Sequence, residues 1–236
     1  SWCGPCKYMT ETIFPQEKAG EFFNPKFVCV KFDMEKGEGP ELAKRFGVRA
    51  YPTFLILRPD GTVQHKIVGG GDLDKFIAKV EKGLNKKTSL DYLNKIYEKG
   101  KMNQKQLMTY SVVLNEAYEK DKSEKVGKEL DAVLKEKDKM KKEYWPILER
   151  SPYGSDNFKL VLNNIGTFNK NIGKEKVDKY LTSCYTNAIN NTMRPNTKEP
   201  LKVLQQIQEE LTKLDLADQA TLTRSLELNQ ACLEKT

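Results

Sequence analysis

The chain has 236 residues, 38% of them hydrophobic and 31% charged, which is enough apolar material for one large or two modest domains with a real core. Its net charge of +7 is shared, +4 within residues 1–87 and +3 beyond, so neither part concentrates the basic face that a nucleic acid demands. No apolar run approaches the roughly eighteen residues of a membrane helix.

The chain opens on Ser1-Trp2-Cys3-Gly4-Pro5-Cys6-Lys7. Two cysteines separated by two residues can close a small disulfide on the first turn of a helix. If Cys3 stands at the start of that helix, its sulfur faces unpaired backbone N–H groups and the positive end of the helix dipole, and both favour the thiolate. Pro5 is tolerated there because first-turn N–H groups have no partner within the helix. Gly4 leaves room for another chain's backbone to approach Cys3. The chemistry that follows is a relay in which Cys3 attacks a foreign disulfide and Cys6 resolves the mixed disulfide. Two plainer readings compete. Half a zinc site needs further ligands, and the chain offers only His65 and three scattered cysteines. A purely structural disulfide would close too small a loop to restrain much unfolded chain.

A helical pattern runs from Lys7 through Met9, Ile13 and Phe14 towards Phe23, bent or ended by Pro15. Phe27 to Asp33 is a continuous apolar run of strand length, expected as a strand buried on both faces with Cys29 as a small hydrophobe inside it. Gly37 to Pro40 reads as a turn, and Pro40-Glu41 opens a short helix stopped by Gly47. Thr53 to Leu57 reads as a buried strand, Pro59-Asp60-Gly61 as a hairpin turn, and Thr62 to Val68 as an alternating strand. His65 shares a face with Val63 and Ile67 and reads as a partly covered strand residue. Val68-Gly69-Gly70-Gly71 lacks the lysine of a phosphate loop. Asp72 then caps a helix running to Leu84.

Trp2-Cys3-Gly4-Pro5-Cys6-Lys7 resembles the active site of the thioredoxin family. Arg49-Ala50-Tyr51-Pro52-Thr53-Phe54 resembles the segment in which that family carries a cis-proline facing the cysteine pair, and residues 55–69 resemble its closing hairpin. The resemblance implies a thiol-disulfide oxidoreductase that reduces or isomerises protein disulfides, with no cofactor beyond the Cys3–Cys6 disulfide, no metal, and an upstream thiol reductant as partner. It implies that Cys3 and Cys6 are catalytic. It also implies that Trp2, Gly4, Pro5, Tyr51, Pro52 and Gly69 meet the substrate, Tyr51 by offering its backbone to an extended segment. The family also leads into its cysteines with a central strand, which points to an N-terminally incomplete domain here, and the family's buried acid on that strand has no counterpart. Thr12-Ile13-Phe14-Pro15 followed by Phe22-Phe23-Asn24 resembles exported, thioredoxin-like thiol reductases, which implies the bacterial periplasm or cell envelope. The scattered Cys29, Cys184 and Cys232 tolerate a reducing cytoplasm equally.

We place the change of grammar at residues 83–88, dividing an α/β redox domain, residues 1–86, from an all-α domain, residues 87–236. Helical stripes run over Leu90–Tyr97, Leu107–Tyr118, Val126–Leu134, Phe158–Phe168, Val177–Ile189, Leu201–Leu214 and Leu222–Leu233, with Ser89 and Ser123 as N-caps. Lys135 to Glu143 alternates in sign and reads as a solvated helix end. Paired amphipathic helices of this length resemble a tetratricopeptide-type solenoid, but no signature residue recurs at a constant spacing, so an irregular array is expected. Such an array can hold a protein partner, which leaves a second function open: a binding scaffold or chaperone with an accessory redox domain.

Overall fold

A computed structural model describes residues 2–234; Ser1 lies outside them. The chain forms two compact units, residues 1–133 and residues 134–236. The strands belong to the first, and among the described residues helices alone follow the last strand, so the all-α grammar begins well before the point at which the units divide.

The first unit is built on one hairpin. Strand β1 (Thr53–Leu57) pairs antiparallel with β2 (Val63–Val68), with Phe54 opposite Ile67 and Ile56 opposite His65. The turn is fixed by its own residues. Gly61 donates its N–H to the Arg58 carbonyl at 2.9 Å from a left-handed φ of +79°, and Asp60 accepts from the Thr62 N–H and hydroxyl. Side chains alternate across the hairpin. Phe54, Ile56 and Ile67 therefore face one layer, made by helix α1 (Gly4–Tyr8), its π-helical continuation Met9–Ile13, α2 (Glu17–Phe23) and α4 (Leu73–Leu84). Met9, Ile13, Ala19, Ile67, Leu73, Phe76 and Val80 form the core of that layer. The Phe54 and Phe76 rings meet edge to face at 4.6 Å, with Phe14 5.8 Å from each. Helix α3 (Gly39–Arg45) begins with Pro40 in its first turn and is followed by Gly47 at φ +59°.

The strand expected at Phe27–Asp33 does not form. The segment is irregular, Val28 is 95% exposed, and Cys29 lies at the surface. A strand exists through its ladder, and among the described residues the only ladder is the one between β1 and β2. An apolar run left without a neighbouring strand has no ladder for its N–H and C=O groups; at its ends the Phe27 N–H instead donates to the Phe23 carbonyl at 2.9 Å and the Asp33 carbonyl accepts the Lys36 N–H at 3.1 Å.

Helices α5 (Leu90–Glu98), α6 (Gln104–Glu116) and α7 (Lys120–Val133) complete the unit. Leu93, Tyr110, Val113, Leu114, Val126 and Leu130 are fully buried among them. Polar links tie this layer to the hairpin and α4: Arg58 to Asp91 at 2.7 Å, Lys82 to Glu116 at 2.8 Å, Lys66 to Glu119, and the Leu90 N–H to His65 Nδ1 at 3.1 Å. His65 is thus wholly covered, not partly, because α5 begins against its ring. Ser89 stands at the N-cap position of α5, but Ser123 lies within α7, which starts earlier, at Lys120.

The second unit is all helix, with α12 (Lys174–Thr192) its longest and α8 (Glu136–Lys139), α9 (Trp145–Leu148), α10 (Asp156–Asn163), α11 (Ile165–Ile172), α13 (Pro200–Leu211) and α14 (Gln219–Leu233) beside it. The stripe expected as one helix over Phe158–Phe168 is two, broken at Asn164. Tyr180 and Tyr185 pack as core while their hydroxyls stay paired, Tyr180 with the Ser151 carbonyl at 2.9 Å and Tyr185 with Glu210 at 3.1 Å. Among the described residues no helix is long and apolar enough to cross a membrane.

Candidate active site

Cys3 is the N-cap of α1. Its backbone is extended, its carbonyl accepts the Lys7 N–H at 3.1 Å, and its Sγ accepts the Cys6 N–H at 3.2 Å. Cys3 and Cys6 are joined as a disulfide with their Cα atoms 5.3 Å apart. Pro5 occupies the first turn, and a Cβ on Gly4 would meet nothing within 4 Å, so the approach to the pair from that side is open. The first turn carries no acidic side chain, while Lys7 follows directly. A negative charge forming on Cys3 Sγ would therefore meet a backbone N–H and the helix N-terminus with no nearby carboxylate in the turn to oppose it. Cys3 is 7% exposed and Cys6 is half-buried.

The helix then widens into a π turn, with Phe14 N–H bonded to the Met9 carbonyl at 2.9 Å. This offset turns both Met9 and Ile13 into the core, which anchors the segment that carries the cysteines.

Two loops come to this helix. In the first, the Tyr51–Pro52 peptide is cis, and the Tyr51 ring meets Trp2 edge to face at 5.8 Å. Trp2 is 71% exposed and is held by its Nε1–H, which donates to Glu35 Oε1 at 2.9 Å. In the second, Gly69 donates its N–H to the Pro52 carbonyl at 2.8 Å, Gly71 donates to Met9 Sδ at 3.4 Å, and a Cβ on Gly70 would fall 2.8 Å from Met9 Cγ and 3.6 Å from the Pro5 carbonyl oxygen. Trp2, Cys3, Gly4, Pro5, Cys6, Tyr51, Pro52 and Gly69 thus share one end of the hairpin. Gly69 joins the group through Pro52, whereas Gly70 is the glycine packed against the cysteine helix. Gly70, Met9 and Glu35 are the contributors that sequence reasoning did not single out. A run of three glycines signals close backbone approach without telling which residue makes it.

His65 lies apart from these residues, against α4 and α5. Burial holds it well below the usual imidazole value, at about 4, with Lys82 adding to the effect and Glu116 opposing it. It is a neutral acceptor for the Leu90 amide. Among the described residues no group of His, Cys, Asp and Glu has the arrangement of a metal site.

The family model for Thioredoxin matches residues 1–82. Among characterised proteins, thioredoxin-1 of Drosophila melanogaster is 36% identical over 74 residues, covering 28% of this chain and 64% of that protein. The M-type chloroplastic thioredoxin of Chlamydomonas reinhardtii is 33% identical over 84 residues, 36% of this chain and 56% of its own length. Chloroplastic thioredoxin F1 of Arabidopsis thaliana is 39% identical over 80 residues, 34% and 41%. The chain spans between about half and two thirds of the first two relatives. No solved structure matches it. With the cysteine pair at a helix N-terminus, the Tyr51–Pro52 loop and the glycine loop gathered at one end of the hairpin, the match over residues 1–82 identifies the N-terminal part of this chain as a member of the thioredoxin family.

Proposed function

We propose that the chain is a thiol-disulfide oxidoreductase that reduces or isomerises disulfides in protein substrates. The observation that carries this reading is the Cys3–Cys6 disulfide closed on a helix N-terminus, with Cys3 Sγ already accepting a backbone N–H. In the reduced protein the Cys3 thiolate attacks one sulfur of a substrate disulfide. A bond forms between Cys3 and the substrate, the substrate S–S bond breaks, and the departing thiolate takes a proton from water. Cys6 then loses its proton to solvent and attacks Cys3 Sγ, releasing the second substrate thiol and leaving the Cys3–Cys6 disulfide. An upstream dithiol returns the electron pair. If instead the released substrate thiolate attacks a second disulfide of its own chain before Cys6 acts, and the thiolate this frees attacks the mixed disulfide and expels Cys3, the outcome is isomerisation with Cys3 and Cys6 left reduced. Gly4-Pro5 between the cysteines supports the reducing over the oxidising direction, by the thioredoxin resemblance.

The exposed Trp2 and Tyr51 rings and the Tyr51 backbone form the surface on which a substrate segment would lie. The redox domain of residues 1–86 works, in this reading, with α5–α7 packed on its hairpin. A bacterial envelope location rests on the likeness of Thr12–Pro15 and Phe22–Asn24 to exported thiol reductases.

Insulin reduction by the full chain tests the reading. Cys3→Ser should abolish turnover, and Cys6→Ser should accumulate the mixed disulfide with substrate. A Cys3→Ser protein that still reduces insulin would overturn it.

A second reading assigns the main work to the helical part as a partner-binding scaffold. A cleft of about 390 Å³ in the second unit, lined by Tyr153, Tyr180, Asn187 and Asn191, supports it. Partner capture that survives Cys3→Ser would favour this reading.

A further inference from the structure

Directly before Tyr51 and Pro52 the chain lines a small cavity of about 160 Å³, walled by Phe46, Arg49, Ala50, Lys66, Tyr118 and Glu119. Drug-sized ligands occupy roughly 300–1,000 Å³, so this volume fits one side chain. Two of its walls have different origins. Arg49 and Ala50 belong to the thioredoxin-family segment, while Tyr118 and Glu119 come from the turn after α6, beyond the residues the family matches. Tyr118 holds that turn in place from a left-handed φ of +59°, and the Glu119 N–H closes it onto the Leu114 carbonyl at 2.9 Å. On the other side, the Ala50 carbonyl accepts the Thr53 hydroxyl at 2.7 Å, which fixes the loop.

The charges are unequal. Glu119 is engaged with Lys66. Among the described residues no carboxylate pairs with Arg49, and Lys120 lies over the Tyr118 ring at 4.6 Å, also without an acidic partner. The pocket lining thus holds two cations, Arg49 and Lys66, against one anion, Glu119, with Lys120 stacked on its Tyr118 wall, beside the backbone on which a substrate strand would pair.

We infer that this cavity is a specificity pocket for an acidic side chain of the substrate. An aspartate or glutamate near the attacked cysteine would enter between the hairpin and the α6 turn. Arg49 would take its carboxylate in a charge-assisted, forked hydrogen bond. This inference rests on the oxidoreductase reading and names its substrate class: disulfides flanked by acidic residues. The helical extension is thereby part of substrate selection, since one wall of the pocket and its only anion come from it.

The test uses disulfide-linked peptides alike except for Glu, Gln or Lys at one position, scanned on either side of the cysteine, reduced by the full chain with dithiothreitol as electron source. At the best position the wild type should favour Glu over Gln by about tenfold in kcat/KM, with the ratio shrinking as salt rises. Arg49→Glu should invert the order and make the Lys peptide the preferred one. Glu119→Gln, which frees Lys66, should raise the Glu-to-Gln ratio. Peptides that are all reduced, but with the same ranking by wild type and both variants, would overturn the pocket while leaving the oxidoreductase reading intact. Peptides that are not reduced at all, or reduced equally by Cys3→Ser, would overturn both.

Discussion

The Leu90 amide donates to His65 Nδ1 at 3.1 Å, so the first residue of α5 is tied to the middle of β2 by an imidazole that must stay neutral. A proton on Nδ1 would turn the acceptor into a second donor facing an N–H. The ring is fully buried, and Nε2 has no hydrogen-bond partner, so charging it would cost desolvation with little return.

Acid stability should carry this signature. The folded value of about 4 lies below the ordinary 6.5, so the unfolded chain binds a proton that the fold refuses. The contribution is whole above pH 6.5, is lost as the pH falls to about 4, and amounts to at most roughly 3 kcal/mol. Other groups titrate in the same range, so the comparison is with His65→Gln. Urea midpoints measured between pH 7 and 4 should fall more steeply in the wild type than in the variant. Equal slopes would show that His65 is not the acid-sensitive group.

Much of this architecture was written in local sequence. The hairpin was legible because Pro59-Asp60-Gly61 specifies its turn, and the helices because apolar residues recur at helical spacing. The cysteine pair announced its own chemistry. What could not be read locally depends on distant neighbours. Phe27–Asp33 has every residue preference of a strand, yet a preference makes no ladder without an adjacent strand. The burial of His65 depends on where α5 begins, twenty-five residues later. Glu35 supports Trp2 across thirty-three residues, a link with no pattern to betray it.

The same corner of the fold constrains Gly83. A Cβ there would lie 2.6 Å from His65 Cδ2 and 2.7 Å from Ile56 Cδ1, distances that force the hairpin or α4 to shift. Alanine normally strengthens a helix interior relative to glycine by about 1 kcal/mol. Here overpacking outweighs that gain, and Gly83→Ala should destabilise by about 1–3 kcal/mol. A thermal midpoint equal to or above the wild type would show that the ring has room to move.

The free thiols should divide by exposure. Cys29 and Cys232 are exposed, whereas Cys184 is buried, close to the Ser151 carbonyl, and burial raises its thiol above the ordinary value. Titrating the oxidised protein with a chromogenic disulfide reagent should show two fast thiols, with a third reacting only in denaturant. A slow Cys29, identified by peptide mapping, would mean that the segment 27–33 is covered in solution.

The glycine loop offers the sharpest separation of packing from backbone strain. At Gly69 the difficulty is conformational: φ is +89°, but a Cβ would have nothing within 4 Å. At Gly70 φ is ordinary for any residue, but the added carbon would fall 2.8 Å from Met9 Cγ and 3.0 Å from Met9 Sδ. Met9 is buried in the turn that directly continues the cysteine helix, so pushing it moves the segment on which Cys3 and Cys6 sit. Gly69→Ala should therefore cost about 1 kcal/mol of stability and act on catalysis chiefly through substrate KM, since it adds a methyl on the open side of the loop that is bonded to Pro52. Gly70→Val should lower kcat as well, because the displaced helix alters the approach of Cys6 to the mixed disulfide. Steady-state insulin reduction by the two variants distinguishes these effects, and a Gly70→Val protein with unchanged kcat would show that Met9 yields by side-chain rotation alone.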